Sequence, residues 1–456
     1  MESVIDVHDW LGEIAGHTFM RTARLPLEEL SGWREDPATG NLHHARGGFF
    51  TVEGLEVSRP GWAVPAWSQP IINQPEAGIL GILLRRVGGV PYVLMQAKNE
   101  PGNPGGPQLS PTVQATRSNY TRVHNGRAVP YLEHFRGPRG RVLADVRQSE
   151  QGAWFYRKRN RNMVVEVDGE VEAAAGFRWL PLRRVRELLS VPDLVNMDAR
   201  TVLACLPVQE GADEGEGGFG TAVARSRDRR RGALHGTPEI LSWLSGVRST
   251  TDVHARPVPL NRVSGWRRAE GRISHETGRF FDVIGVRVDA GGREVDAWSQ
   301  PMIAPVGTGV VAFLVRRVEG VVHALVHARV EPGYTDVVEL APTVQCTPGN
   351  YDHLPPGARP PLLADVLDAP PERMLFDTVL SEEGGRFYHA RNRYLLAEVD
   401  EDPLPGHPAF RWLALHQLDE LLRHSYYLNV QARTLNACLH GLAHVAPPRP
   451  VTGGVR

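Results

Sequence analysis

The chain has 456 residues, 41% hydrophobic and 23% charged, the profile of a soluble globular protein of two or three domains. A formal net charge of −1 excludes a global field that would draw the chain to nucleic acid or an anionic membrane, and no apolar run approaches the roughly 18 residues of a membrane-spanning helix. Three cysteines exclude a disulfide framework. With an N-terminus, MESVIDVHDW, that lacks the basic segment of a secretory signal, the expectation is a cytoplasmic protein with small buried thiols at Cys205 and Cys438.

The first predicted element is an amphipathic helix around Trp10. Ala66-Trp-Ser-Gln-Pro70 follows, then a β-hairpin in GILGILLRRV-GG-VPYVLMQA, whose arms are aliphatic and β-branched. The stretch LSPTVQATRSNY occupies residues 109–120. A short helix is expected over Val142–Ser149, then a strand at MVVEV, then two helices at PLRRVRELLS and ARTVLACL. Residues 207–234 are Gly-rich, acidic first and basic later, and read as a flexible linker. Their GEGGFG is a literal GxGxxG, but no strand is expected before it and no helix after it, so it does not read as a dinucleotide cradle.

The same elements then return. A helix is expected around Trp243, Ala297-Trp-Ser-Gln-Pro301 recurs, and a second hairpin lies in GVVAFLVRRV-EG-VVHALVHA. LAPTVQCTPGNY stands at 340–351, a counterpart of the short helix leads into Ser381, and a strand is expected at YLLAEV. The offset between matching motifs stays between 231 and 233, a period that fits a duplicated unit and not a solenoid. Strands and helices intermix without strict βαβ alternation, which predicts an α+β fold.

The stretches AWSQP, LSPTVQATRSNY, SEQGAWFYRKRNRN, LAPTVQCTPGNY and SEEGGRFYHARNRY together resemble the NDP-hexose 2,3-dehydratases over nearly the whole chain. The resemblance implies an α+β fold of two tandem Nudix-like modules from internal duplication, residues 1–206 and 235–456, and a homodimer. It implies a dTDP-4-keto-6-deoxyglucose substrate, a 3,4-diketo-2,6-dideoxy product, a partner 3-ketoreductase and no cofactor. A metal-dependent Nudix hydrolase carries the box G-x5-E-x7-R-E-U-x-E-E-x-G-U. Here VLSEEGGRF keeps Glu382, Glu383 and Gly384 without the preceding Arg-Glu, and QSEQGAWF has Glu150 alone. Hard cations need clusters of oxygen ligands, so no metal site is expected. A pyrophosphohydrolase using Glu382 and Glu383, and a non-catalytic nucleotide-sugar-binding protein, stand as alternatives.

Dehydration of such a sugar needs a base for the C3 proton, an acid for the C2 hydroxyl, a donor to the enolate and cations for the diphosphate. Residues 96–162 hold twelve basic and four acidic side chains, whereas 327–394 hold six basic and ten acidic, so a diphosphate is drawn to the first copy. Both lysines of the chain, Lys98 and Lys158, fall in that first stretch, and lysine, unlike arginine, can give up its proton. Lys98, Tyr120, Glu133 and Lys158 are therefore the catalytic candidates, Glu133 or His124 being the base and Tyr120 a donor or simply a buried tyrosine. Trp67, Ser68, Gln69, Gln114, Thr116, Arg117, Asn119, Arg159 and Asn160 are candidates for binding substrate. Their counterparts Trp298, Ser299, Gln300, Gln345, Asn350, Tyr351, His389, Arg391 and Asn392 outline a second, degenerate pocket. For Gln114 and Asn119 and their repeats, the competing reading is that they fix the same turn in each copy.

Overall fold

The predicted hairpin forms from Gly78–Val87 and Val90–Lys98, with Gly88 and Gly89 at positive φ in its two-residue turn. In this computed structural model, residues 4–17, 19–117, 128–137, 139–207, 218–291 and 296–442 are described. The first seven residues of Gly78–Val87 are buried without alternation, because both faces of the strand are covered. Around the hairpin a seven-stranded sheet runs in the order Arg141–Ser149, Arg159–Glu166, Gly78–Val87, Val90–Lys98, Phe177–Pro181. Gln108–Ser110 and Val113–Ala115 join its inner strands. All pairings are antiparallel except Arg159–Glu166 beside Gly78–Val87. The second hairpin, Gly309–Val318 and Val321–Val330, organises an equivalent seven-stranded sheet.

The repeated PTVQ segment has a structural task inside each hairpin. Thr112 Oγ1 accepts from Leu83 N at 2.9 Å and donates to Leu94 O at 2.5 Å, so it fills the point where the two strands part. Thr343 does the same for Leu314 N and Leu325 O. A hydroxyl, with one donor and acceptor capacity, is the side chain that can satisfy both groups at once.

The expectation of two tandem Nudix-like modules is overturned in two respects. First, the halves exchange strands. Met20–Leu25 of the first half pairs along its full length with Phe281–Ala290 of the second, and His254–Val258 of the second pairs with Thr51–Ser58 of the first. Each five-stranded sheet is therefore built from both halves. The largest apolar core likewise joins Leu80, Ile82 and Leu84 with Val311, Phe313 and Val315. Second, the segments predicted as short helices are strands, Arg141–Ser149 and Met374–Ser381. VLADVRQS has good helix formers, but its backbone groups are satisfied by pairing with Arg159–Glu166, and tertiary context overrides propensity. No helix thus presents Glu150 or the Glu382-Glu383 pair, which follow the two strand ends in turns. What stands is a mixed α+β fold with large sheets.

The described part of the expected linker also differs. Phe219–Arg227 is a helix with Ala222 and Val223 buried, and Ser226 Oγ accepts from Leu415 N at 2.8 Å while donating to Val322 O. GEGGFG therefore does run into a helix, one whose inner face packs against the second half.

Two clasps bind the halves where the strand-end turns cross. Gly102 N donates to Gly384 O at 2.7 Å and Gly102 O accepts from His389 N at 2.9 Å. Gly333 makes the same pair with Gly152 O and Arg157 N. Arg157 and His389 hold the left-handed region, φ 50° and 51°, a conformation uncommon outside glycine that these bonds maintain. A Cβ on Gly102 would collide with the Phe387 carbonyl. Gly102→Ala is therefore expected to lose about 1–3 kcal/mol of stability, read as a lower thermal midpoint.

Candidate active site

The densest group of buried ionisable side chains lies at the first clasp. Lys98, at the end of its hairpin strand, places Nζ 3.7 Å from Glu100 Oε1 and 3.4 Å from Gln114 O. Gln114 Nε2 donates to the same Glu100 oxygen at 2.9 Å, and Asn196 Nδ2 reaches Gln114 Oε1 at 3.3 Å. Asn196 also caps helix Met197–Ala204, its Oδ1 accepting from Ala199 N, and that helix carries Asp198. Asn160 bridges Glu150, at 2.7 Å, and Gly78 N, at 2.9 Å. Lys158 is 6% exposed and donates to Glu76 O.

The second half completes this site. Its turn after Met374–Ser381 brings in Glu383 and Arg386. Glu383 accepts from Gly385 N at 3.0 Å and Arg386 N at 2.8 Å, which aims the turn. Glu383 Oε1 and Glu100 Oε1 lie 2.5 and 3.6 Å from the place a Cβ on Gly385 would occupy, so the two carboxyls converge from opposite halves. Asp198 and Glu150, 4% and 3% exposed, each keep one carboxyl oxygen, Oδ1 and Oε2, without a protein partner.

Burial and crowding shift these groups toward neutrality. Burial, opposed by the Glu150 charge, lowers Lys158 to about 8. Burial, with Glu100 and Glu150 adding to it, raises Glu383 to about 7. Glu150 is raised by burial against the pull of Arg433 and Lys158, and Asp198 is held well above the usual carboxylate range by burial and its acidic neighbours. Groups that change charge near neutral pH in one place are the working parts of proton transfer. Among the described residues, no group of three or more His, Cys, Asp or Glu is arranged to hold a metal ion.

The equivalent place in the second half is less ionisable. Glu331 takes Arg329 Nε at 3.0 Å, Gln345 Nε2 at 2.8 Å and, from the first half, Ala153 N at 3.1 Å. Ala390, Gln431 and Gln151 stand where the first site has Lys158, Asp198 and Glu383. Glu339, where the first half has Gln108, is raised to about 8 by burial and accepts from Ser149 Oγ at 2.5 Å.

Not every sequence candidate joins these sites. Glu133 is exposed and its ion pair, 3.9 Å, is with its neighbour His134, so the structure does not bring it to Lys98 or Lys158. Tyr120, Asn119 and His124 lie outside the described residues. The AWSQP side chains are engaged in structural bonds, and their serines join the halves. Ser68 Oγ accepts from Ser264 N, Gln69 donates to Ala153 O, and Trp67 donates to Gln69 while packing on Leu55 and Val57. Ser299 donates to Ser31 O, Gln300 to Gly385 O, and Trp298 to Gln300. Gln345 holds Glu331 much as Gln114 holds Glu100, each amide oxygen taken by an asparagine, Asn429 or Asn196. Asn350 accepts from Phe280 N at 3.0 Å, which ties its segment to the strand Phe281–Ala290. Tyr351 is half-buried near Arg329, and Asn392 donates to Glu382. Arg391 is tied to Asp193 at 2.6 Å and His389 stacks on Tyr388, both at exposed positions. Arg159 and Thr116 are half-buried and Arg117 exposed.

Glu100, Asp198 and Arg386 are absent from the sequence candidates, and Glu383 is among them only as a residue of the pyrophosphohydrolase alternative. One signal was present: at Lys158/Ala390, Asp198/Gln431 and Gln151/Glu383 the copies differ in charge inside otherwise matching motifs.

Buried and half-buried carboxyls and cations drawn from both halves of an α+β scaffold form the kind of arrangement that proton-transfer enzymes use. The family profile for NDP-hexose 2,3-dehydratase matches residues 5–206 and again 237–439, and the chain belongs to that family. It is 51% identical over 449 residues, 96% of this chain and 91% of the relative, to a dTDP-4-dehydro-6-deoxy-alpha-D-glucopyranose 2,3-dehydratase of Saccharopolyspora spinosa. Proteins of the same description from Streptomyces violaceoruber, 51% identical over 95% of this chain and 96% of the relative, and Amycolatopsis orientalis, 47% over 97% and 91%, are similar throughout.

Proposed function

We propose that this chain removes the C2 hydroxyl of dTDP-4-keto-6-deoxyglucose, giving the 3,4-diketo-2,6-dideoxy sugar that a 3-ketoreductase then consumes. The observation that carries the reading is the buried set of proton-transfer groups around Lys98 and Lys158, in a chain whose full-length relatives bear that activity in their descriptions. Loss of the C3 proton leaves an enolate on the C4 oxygen, and Lys98, the more accessible lysine, is its cationic partner. Lys158 gives a proton to the departing C2 hydroxyl. The C2–C3 enol that remains takes a proton at C2 and becomes the 3-ketone, with no hydride moved. Arg117 and Arg159 are the cations proposed for the diphosphate.

The pyrophosphohydrolase alternative fares less well on the residues it would use. Glu382 accepts from Asn392, Tyr394 and Gln151, and Glu383 from two backbone amides, so neither carboxyl is set out with its neighbours as a metal ligand. Incubation of the enzyme with the 4-keto sugar and a 3-ketoreductase in D₂O tests the reading. Mass spectrometry is expected to show loss of water and one solvent deuterium fixed at C2. Release of dTMP with the sugar unchanged would refute it.

The acid role also sets a pH dependence. Lys158 must hold its proton to give it away, so turnover is expected to fall as pH rises through about 8. An alkaline limb displaced toward 10.5, the ordinary lysine value, would remove Lys158 from that role.

A further inference from the structure

We propose that Glu383, carried into the first half's site by the second half, is the base that takes the C3 proton. This rests on the dehydratase reading above and adds a catalytic residue to it. Besides Glu76, whose charge is felt by Lys158 and Arg386, four carboxyls surround the site, and three of those are unsuited. Glu100 is paired with Lys98 and held by Gln114, so its carboxyl is already engaged. Glu150 is tied to Asn160 beside the Lys158 charge, and Asp198, on helix Met197–Ala204, is held well above the usual carboxylate range by burial and its acidic neighbours, so it keeps its own proton. Glu383 is half-buried, so a sugar can reach it, and its two hydrogen bonds come from the amides of its own turn. It points toward Glu100 across Gly385, where a side chain would block the approach.

The unpartnered oxygens of Asp198 and Glu150, both more than nine-tenths buried, and the unpartnered Nε of Arg386 belong to the same charged neighbourhood and leave polar groups there for a ligand. Arg386 lies over the Phe50 ring at 4.2 Å, which steadies the turn that carries Glu383. The first half offers Gln151 at the matching position, a group that cannot take a proton, so the second half's site lacks this base.

In the step, the C3–H bond breaks, its electron pair forms the C3–C4 double bond of the enolate, and the proton passes to the Glu383 carboxylate. The enolate then expels the C2 hydroxyl, which leaves as water with a proton from the site's acid. Nothing is oxidised by an outside reagent.

Two rates separate this proposal from the reading beneath it: exchange of the C3 proton with D₂O, and loss of water. Failure of the wild-type enzyme to lose water from the 4-keto sugar would defeat the reading itself. With an active wild type, Glu383→Gln is expected to lower both rates by a factor of about 10² or more. Its affinity for dTDP is expected to stay near the wild type's, while its thermal midpoint falls modestly because one of the two turn amides loses its acceptor. Glu383→Asp keeps the carboxylate and is expected to recover part of both rates. A folded Glu383→Gln within a few-fold of wild type, or one that keeps C3 exchange and loses only water release, overturns the assignment. If Glu383→Gln does not fold, the Asp variant decides: equal loss of rate and dTDP binding there means a structural role only.

Discussion

Lys158→Ala is expected to lower the rate of water loss by a factor of about 10²–10⁴, the range for removing a general acid, and Lys158→Arg is not expected to rescue it. The alanine is the residue the second half carries at this place, Ala390, so the variant makes the first site like the second. Arginine keeps the charge but cannot release the proton. The variant also removes a cation that offsets Glu150, whose carboxyl burial already pushes up. Its stability should change with pH in a defined direction. Burial lowers Lys158 in the folded protein from 10.5 to about 8, so between these values the unfolded chain binds a proton that the folded chain does not. The Lys158 contribution therefore strengthens as pH rises from about 8 toward 10.5, and the alanine variant should lack that slope. Turnover by mass spectrometry and denaturation at several pH values check both statements. A Lys158→Ala enzyme with turnover within a few-fold of wild type would exclude the lysine from catalysis.

Residues 1–207 produced alone are expected to fail to fold cooperatively, and co-production with 218–456 to restore a folded, active complex. Thr51–Ser58 would lose His254–Val258, and Met20–Leu25 would lose Phe281–Ala290, leaving hydrogen-bonding edges open. The apolar face around Leu80, Ile82 and Leu84 would be stripped of its second-half neighbours. Two fully buried arginines set the scale of the loss. Arg200 donates to Ser381 O at 2.5 Å and to Thr434, and Arg433 to Ser149 O at 2.6 Å and to Thr201. Each buried hydrogen bond from a charged group contributes about 1.5–3 kcal/mol, so losing several removes a large share of a domain's roughly 5–15 kcal/mol. Circular dichroism melting of the separate half is the check. A sharp two-state transition from residues 1–207 alone would contradict the exchanged-strand account.

Several elements were legible because their signals are local. The hairpins announced themselves by aliphatic runs split by Gly-Gly and Glu-Gly, and the helices around Trp10 and Trp243 by their apolar spacing. Val142–Ser149 misled because its composition suits a helix and its strand state depends on a partner supplied elsewhere. The repeated polar stretch was read as a choice between substrate binding and turn fixing. Thr112 closes a gap in the hairpin, and Gln114 spends both ends of its amide between Glu100 and Asn196. The charge count pointed to the first copy, yet part of that charge is used up in pairs such as Arg161–Asp145 and Arg141–Glu166.

By itself the sequence determined the family, the repeat with its near-constant offset and many of the main elements, because these rest on residue identity and short-range spacing. The tertiary structure alone decided that strands are exchanged between the halves and that Glu383 and Arg386, from the stretch with excess negative charge, complete the first half's site. Which surfaces meet across more than two hundred residues is set by burial of apolar faces and satisfaction of backbone groups over the whole chain, and no local pattern records it.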